Sequence, residues 1–158
     1  MAIKTKAAHD MLRAMNVSEV EMVYKSRCAD KPRLTSSDDM YKALLDVWDK
    51  GQIEYRESVK LVLMNTGMKC LGIITLSDGG MNAANVDVRM VMQAALLANA
   101  SVICLAHNHP SGNRRPSRED DMLTERLKKA GELLSITLVD HIIVTTDGYY
   151  SYNDEGRI

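Results

Sequence analysis

The sequence contains no phenylalanine and one tryptophan among 158 residues, so its core has to be built from aliphatic side chains and 11 methionines. Cys28, Cys70 and Cys104 are odd in number and far apart, which argues against a disulfide framework and against a C-x-x-C zinc motif. Neither sign of charge dominates, since the sequence has 20 Lys and Arg residues and 21 Asp and Glu residues. A basic field over the whole molecule, typical of nucleic-acid binding, is therefore excluded, although a local basic patch is not.

Long apolar segments are also absent from the sequence. The longest mostly apolar stretch, residues 94–106, is interrupted by Asn99 and Ser101 and is too short to span a membrane. The first residues lead into no apolar core of a signal peptide. We therefore expect a cytoplasmic protein without a membrane segment, in which unpaired cysteines suit the reducing compartment.

Hydrophobic periodicity predicts an α/β (α+β) domain with a mixed β-sheet flanked by helices. The length fits one domain, in which residues 1–34 form a short N-terminal helix and strand, packed on or extending the main domain of residues 35–158. Residues 101–106 are apolar on both faces, as expected of a central strand. The other predicted elements are helices over 3–15, from Ser36 or Ser37 to about residue 50, over 87–99 and over 117–133, and strands over 20–24, 57–64, 69–76, 136–145 and 149–152. Asp78-Gly79-Gly80 is predicted to end the second arm of the hairpin.

The end of the central strand carries two histidines, His107 and His109. Because strand side chains alternate, both imidazoles point to the same side and can bind one metal ion. Catalytic zinc takes three protein ligands, and Asp120 suits the third position, in the first turn of a helix capped by Ser117. Two alternatives remain open: the histidines are hydrogen-bonded surface residues, or Ser117 and Asp120 form nothing more than a capping box.

A hydrolytic zinc site also needs a base that takes a proton from water. Glu57 opens a strand and shares a face with Val59 and Leu61, where a charge needs a partner. It is therefore a better candidate than Glu54, which precedes the alternating segment, although a charge protecting a strand edge explains it equally well. Ser117 can stabilise a developing oxyanion in addition to capping its helix.

These residues resemble the signature of the JAMM (MPN+) metalloproteases, His-x-His-x7-Ser-x2-Asp with an upstream Glu. The adjoining segments, residues 106–112, 115–120 and 140–144, look like those of the RadC subfamily, and the resemblance covers about residues 35–156. It implies a JAB/MPN-like fold with a layout related to cytidine deaminase. The site that it implies holds one zinc ion on His107, His109 and Asp120, with Glu57 as general base and Ser117 as oxyanion stabiliser.

The resemblance implies a zinc-dependent hydrolase in which Glu57 activates a zinc-bound water to cleave a peptide or isopeptide bond of a peptide or protein substrate. The alternative is a RadC-type DNA-repair or DNA-processing accessory protein, either a metal-dependent nuclease or a DNA-binding module. The balanced net charge does not favour DNA, and residues 1–34 show no glycine-rich helix-hairpin-helix pattern. A third interpretation, a non-catalytic interaction module whose metal stabilises a loop, leaves the presence of a base unexplained.

Three further features have less specific interpretations. His141 is expected on a strand face with Val139 and Ile143, as a structural histidine or as a support for a metal ligand. Asp140 faces the opposite side, where it could orient a ligand histidine. The arginines between the ligands form either a solvated loop or a binding edge for an anionic partner. These arginines are Arg114, Arg115 and Arg118.

Overall fold

The computed structural model of the protein describes residues 14–15, 30–80 and 86–158. Nearly all of the helix predicted over residues 3–15, and all of the strand predicted over residues 20–24, lie outside the described residues. The proposed division of the chain at residue 34 therefore stays a prediction. Among the described residues, no helix is both long enough and apolar enough to cross a membrane.

The described strands form one five-stranded sheet in the order β2-β1-β3-β4-β5. Strands β3 and β4 are parallel, and the other neighbouring pairs are antiparallel. The predicted mixed sheet with flanking helices is thus confirmed, with β3 at its centre. The elements are α1 (Ser37–Val47), β1 (Glu57–Met64), β2 (Cys70–Gly80), α2 (Val88–Leu97), β3 (Val102–Asn108), α3 (Arg118–Leu134), β4 (Thr137–Thr145) and β5 (Gly148–Ser151).

The two faces of the sheet carry separate apolar clusters because side chains alternate along each strand. On β1, Leu61 and Leu63 pack with residues of α2 and α3, whereas Val62 packs with residues of α1. On β3, Leu105 belongs to the first cluster and Cys104 to the second. By the same alternation His107 lies on the face covered by α2 and α3.

Each described helix begins at a polar residue that caps its first turn. Ser36 and Ser117 begin α1 and α3 through reciprocal capping boxes, and Asp87 accepts a hydrogen bond at the start of α2. The α1 helix ends at Val47, earlier than predicted, because Trp48 adopts an extended conformation. Capping residues are local sequence signals. The predicted helix starts therefore agree better with the structure than the predicted end of α1 does.

The second hairpin strand is longer than predicted, and the interpretation of Asp78-Gly79-Gly80 as its end is wrong. Gly80 pairs with Glu57 and Asp78 pairs with Ser58, so Gly79 is an extra residue in the ladder. Its φ of 102° is readily adopted by glycine, and the residue forms a β-bulge. The bulge keeps β2 paired as far as Glu57, so that this end of the hairpin borders the site described below.

A second β-bulge, in β4, places His141 and Val139 on different faces of the sheet, contrary to the prediction. Leu138 pairs with Ile103 and Asp140 pairs with Cys104, which leaves Val139 as the extra residue. Val139 consequently packs against the α1 cluster, whereas His141 turns toward the face of His107. The predicted grouping of His141 with Val139 is therefore wrong, because the bulge interrupts the alternation.

Candidate metal centre

The β3 strand and the start of α3 bring His107, His109 and Asp120 together. The Nε2 atoms of the two histidines are 3.0 Å apart. Asp120 Oδ1 is 3.2 Å from His107 Nε2, and Asp120 Oδ2 is 3.7 Å from His109 Nε2. Tetrahedral zinc with bonds of about 2.0–2.1 Å separates its ligand atoms by about 3.3–3.4 Å. The three side chains could therefore hold one metal ion with little rearrangement.

The two carboxylate oxygens of Asp120 have different partners. Oδ2 accepts hydrogen bonds from the backbone N–H and the hydroxyl of Ser117, both at 2.7 Å, while the Asp120 N–H donates to Ser117 Oγ at 3.1 Å. This is a capping box, and it leaves Oδ1 directed at His107. Burial opposes ionisation of this carboxyl, but hydrogen bonds from His107 and His109 hold its pKa far below the ordinary value. Asp120 is thus both a cap and an anionic ligand candidate.

The His109 ring is oriented by a backbone carbonyl. Its Nδ1 lies 2.6 Å from the oxygen of Asn113, and a carbonyl oxygen can only accept. Nδ1 therefore carries the proton, and Nε2 is left for a metal. A hydrogen bond to Asp120, opposed by burial, raises the pKa of His109.

The His107 ring is held by side chains that approach from β4 and α3. Its Nδ1 is 2.9 Å from His141 Nε2, and His141 Nδ1 is 2.7 Å from the hydroxyl oxygen of Thr124. The Thr124 hydroxyl donates to the Asp120 carbonyl at 2.7 Å. Burial lowers the pKa of His141 well below its ordinary value, and the ring is fully enclosed.

Asp140 does not orient a ligand. Its carboxylate accepts hydrogen bonds from the Ser151 hydroxyl at 2.6 Å and from the N–H groups of His141 and Asn153. These contacts fasten the turn after β5 to β4. The sequence pattern correctly places Asp140 and His141 on opposite sides, but the residue that reaches His107 is His141.

Glu57 lies beside the three candidate ligands. Val59 pairs with His107, so continuing the antiparallel register by two residues sets Glu57 opposite His109 on the same face. Glu57, His109 and Ser117 line one pocket of about 810 Å³. The Oε2 atom of Glu57 is buried and has no hydrogen-bond partner among the described residues. A buried acceptor without a donor is rare in native proteins and calls for an explanation, of which a catalytic role is one.

Asn108 holds the chain on both sides of Glu57. This fully buried residue points away from the two histidines because it lies between them on the strand. Its side-chain amide donates to the carbonyls of Ile53 and Arg56 at 2.6 and 2.9 Å, and its Oδ1 accepts from the Ser58 N–H at 2.8 Å. The strand that carries His107 and leads directly into His109 thus also fixes the position of Glu57.

Basic side chains line part of the same pocket. Arg115 and Arg56 contribute to its wall, whereas Arg114 lies against Gly148. Arg118 begins α3 in an exposed position. Of the three arginines that the sequence singled out, Arg115 lines the pocket. Arg56, which the sequence did not single out, lines it as well.

Sequence reasoning missed Thr124, Asn108 and Arg56. Thr124 lies four residues after Asp120, a spacing that places both on the same helix face. Helical spacing could therefore have indicated that Thr124 lies near the site. Arg56 precedes Glu57, and Asn108 separates the two histidines, but their contacts depend on how β1 meets β3. These contacts could not be deduced from local spacing.

Comparison with known proteins identifies similar sequences over most of the chain. A family model described as a RadC-like JAB domain matches residues 34–157. UPF0758 proteins of Thermotoga maritima and Porphyromonas gingivalis are each 45% identical to the chain, over 103 and 104 residues. These alignments cover 65% of the chain and 46% of each relative, slightly less than half of its length. A UPF0758 protein of Flavobacterium johnsoniae is 34% identical over 157 residues, which is 98% of the chain and 67% of the relative.

Proposed function

Because this chain belongs to the RadC-like JAB domain family, we propose that it is a zinc-dependent metallohydrolase of the JAMM type that cleaves a peptide or isopeptide bond. The observation that carries this proposal is the convergence of His107, His109 and Asp120 within a few ångströms. Beside them lies a carboxylate oxygen of Glu57 that has no hydrogen-bond partner among the described residues. One oxygen and two nitrogen donors are a ligand set that suits catalytic zinc.

The roles of the chain's own residues follow from their contacts. Zinc held by such ligands lowers the pKa of a water molecule to about 7 and polarises a carbonyl group. Glu57 takes a proton from the attacking water at Oε2 and returns it to the leaving amine. The hydroxyl of Ser117 donates to Asp120, so its first role is to hold that ligand. Oxyanion stabilisation by Ser117 requires this hydroxyl to turn into the pocket.

Replacing the base tests this proposal. We expect Glu57→Gln to retain stoichiometric zinc and to lose turnover by about 10²- to 10⁴-fold, because the amide cannot accept the proton. Peptide, isopeptide and DNA substrates are assayed in parallel, with zinc quantified in each sample. Glu54→Gln is the matched control, since Glu54 is exposed and bonds to Thr146. Hydrolysis by Glu57→Gln at the wild-type rate would refute the assignment of the base.

Replacing a ligand tests the metal centre separately. Asp120→Asn keeps the shape of the side chain but removes its charge, so zinc affinity should fall by more than the roughly 10- to 100-fold associated with supporting residues. The control is Glu119→Gln, an exposed neighbour in the same helical turn. Equal zinc affinity in the two variants, measured by chelator competition, would contradict the proposed centre.

A second candidate function is the hydrolysis or binding of DNA. Its support is the presence of Arg56 and Arg115 in the wall of the pocket, because guanidinium groups bind phosphates well. This candidate predicts DNA affinity that falls steeply with salt and DNA cleavage that disappears in Glu57→Gln. Amide hydrolysis without DNA cleavage would exclude the nuclease.

A further inference from the structure

We propose that Thr124 and His141 are positioning residues that fix the ring tautomer of His107, so that its Nε2 presents a lone pair to zinc. The inference rests on the proposed metal centre and extends it to a chain of hydrogen bonds that runs from α3 through β4 to β3. The direction that we infer for each bond follows from one end of the chain, where a backbone carbonyl can only accept.

The chain begins at Thr124, whose hydroxyl has a single proton. The hydroxyl donates this proton to the carbonyl oxygen of Asp120, at 2.7 Å. Toward His141 Nδ1, also at 2.7 Å, the same oxygen can therefore act only as an acceptor. His141 must consequently carry its proton on Nδ1.

The second step passes this constraint to the ligand. With Nδ1 protonated, the neutral His141 ring offers Nε2 as an acceptor. Its partner at 2.9 Å is His107 Nδ1, which must then be the donor. In the zinc-bound ring the proton of His107 is thereby placed on Nδ1, and Nε2, the atom next to His109 and Asp120, is left to coordinate the metal.

The surroundings of His141 keep its ring in the plane that this relay needs. The ring is fully buried, and Tyr152 stacks on it at 5.0 Å between centroids with an interplanar angle of 8°. The Tyr152 hydroxyl is itself anchored to Asp121 at 2.8 Å. His141 is therefore held on its face as well as at both ring nitrogens.

The two ligand histidines reach the same tautomer by different routes. Asn113 supplies a backbone carbonyl to Nδ1 of His109, which fixes that ring directly. His107 Nδ1 instead contacts the side chain of His141. Metal-binding histidines commonly have the other ring nitrogen held in this manner, and its loss costs about 10- to 100-fold in metal affinity.

The test compares two variants of Thr124. Thr124→Val keeps the size of the side chain but removes the hydroxyl, so it should lower zinc affinity, by up to the roughly 10- to 100-fold range of supporting residues. Thr124→Ser keeps the hydroxyl and should retain wild-type affinity. Wild-type zinc affinity in Thr124→Val, or equal losses in the two variants, would overturn the proposal.

A spectroscopic measurement on the unmodified protein tests the relay without any mutation. Long-range ¹H–¹⁵N spectra of the zinc-loaded protein should show protonated Nδ1 and unprotonated Nε2 in both His107 and His141. A proton on Nε2 of His141, or zinc on Nδ1 of His107, would overturn it. If the protein binds no zinc, the proposed function fails, while the His141 tautomer measured without metal still decides whether the relay exists.

Discussion

At the residue scale, Asp120 and His109 each use one polar atom to bond to the protein and leave another polar atom for the metal. Asp120 uses Oδ2 to cap α3 and keeps Oδ1 for the site. His109 uses Nδ1 to hold the loop at Asn113 and keeps Nε2. The ligand atoms are thus oriented by bonds that the protein makes without the metal, which reduces the rearrangement needed for binding.

These contacts predict how zinc binding depends on pH. The hydrogen bond to Asp120 raises the pKa of His109 above its ordinary value of 6.5, so the metal-free ring keeps its proton to a higher pH. Zinc must displace that proton. Apparent zinc affinity should therefore be constant above the raised pKa and fall about tenfold per pH unit below it.

Chelator-competition titrations between about pH 5 and 8 measure this dependence in the range where histidines titrate. Asp120 adds no step of its own in this range, because its pKa lies far below it. Zinc affinity that stays flat down to the lowest pH would show that no ligand proton is displaced.

Much of the residue-scale account can be read from the sequence. His107, His109 and Asp120 were identified because their spacing places them at a strand end and in a first helical turn. The sequence leaves His141 as either a structural histidine or a support for a metal ligand, and it was not used to assign a role to Thr124. The contacts of Thr124 with His141 and of His141 with His107 depend on the packing of α3 and β4, and on a bulge that separates His141 from the face of Val139.

At the element scale, β3 is the scaffold of the site, with His107 on one face, Asn108 on the other and His109 directly after its last residue. Asn108 makes three hydrogen bonds to the backbone around Glu57. It therefore couples the strand that positions two candidate ligands to the segment that carries the proposed base.

Replacing Asn108 should remove the hydrogen bonds that link β3 to the segment around Glu57. Asn108→Leu has a similar volume but leaves buried N–H and C=O groups without partners, which should lower the free energy of unfolding by at least about 2 kcal/mol. Urea denaturation measures the change, and Asn153→Ala is the control at an exposed asparagine. Equal stability of the two variants would mean that the Asn108 hydrogen bonds contribute nothing measurable.

The elements were predictable where their signals are local. Serine caps predicted the starts of α1 and α3, and two-sided apolar character predicted that β3 is central. The extension of β2 through Asp78-Gly79-Gly80 was not predicted, because a glycine pair ordinarily ends a strand. Here the bulge at Gly79 keeps β2 paired to β1 as far as Glu57, a property of two strands rather than of one.

At the scale of the whole molecule, the sheet brings together residues that are distant in sequence. Glu57 comes from an antiparallel hairpin strand, His107 from the central strand and Asp120 from the helix that follows it. They meet at one end of the sheet, beside an open pocket of about 810 Å³, a size typical of ligand sites. Because the net charge is only −1, the proposed hydrolase would recognise its substrate in this pocket rather than through a long-range field.

The proposed zinc site is tested most directly by anomalous diffraction at the zinc edge from crystals grown with zinc. It predicts one strong peak per chain, bonded to Nε2 of His107, Nε2 of His109 and Oδ1 of Asp120 at about 2.0–2.2 Å, with the fourth position open toward Glu57. A peak elsewhere, coordination through Nδ1, or a fourth protein ligand that closes the site would contradict the proposed catalytic centre.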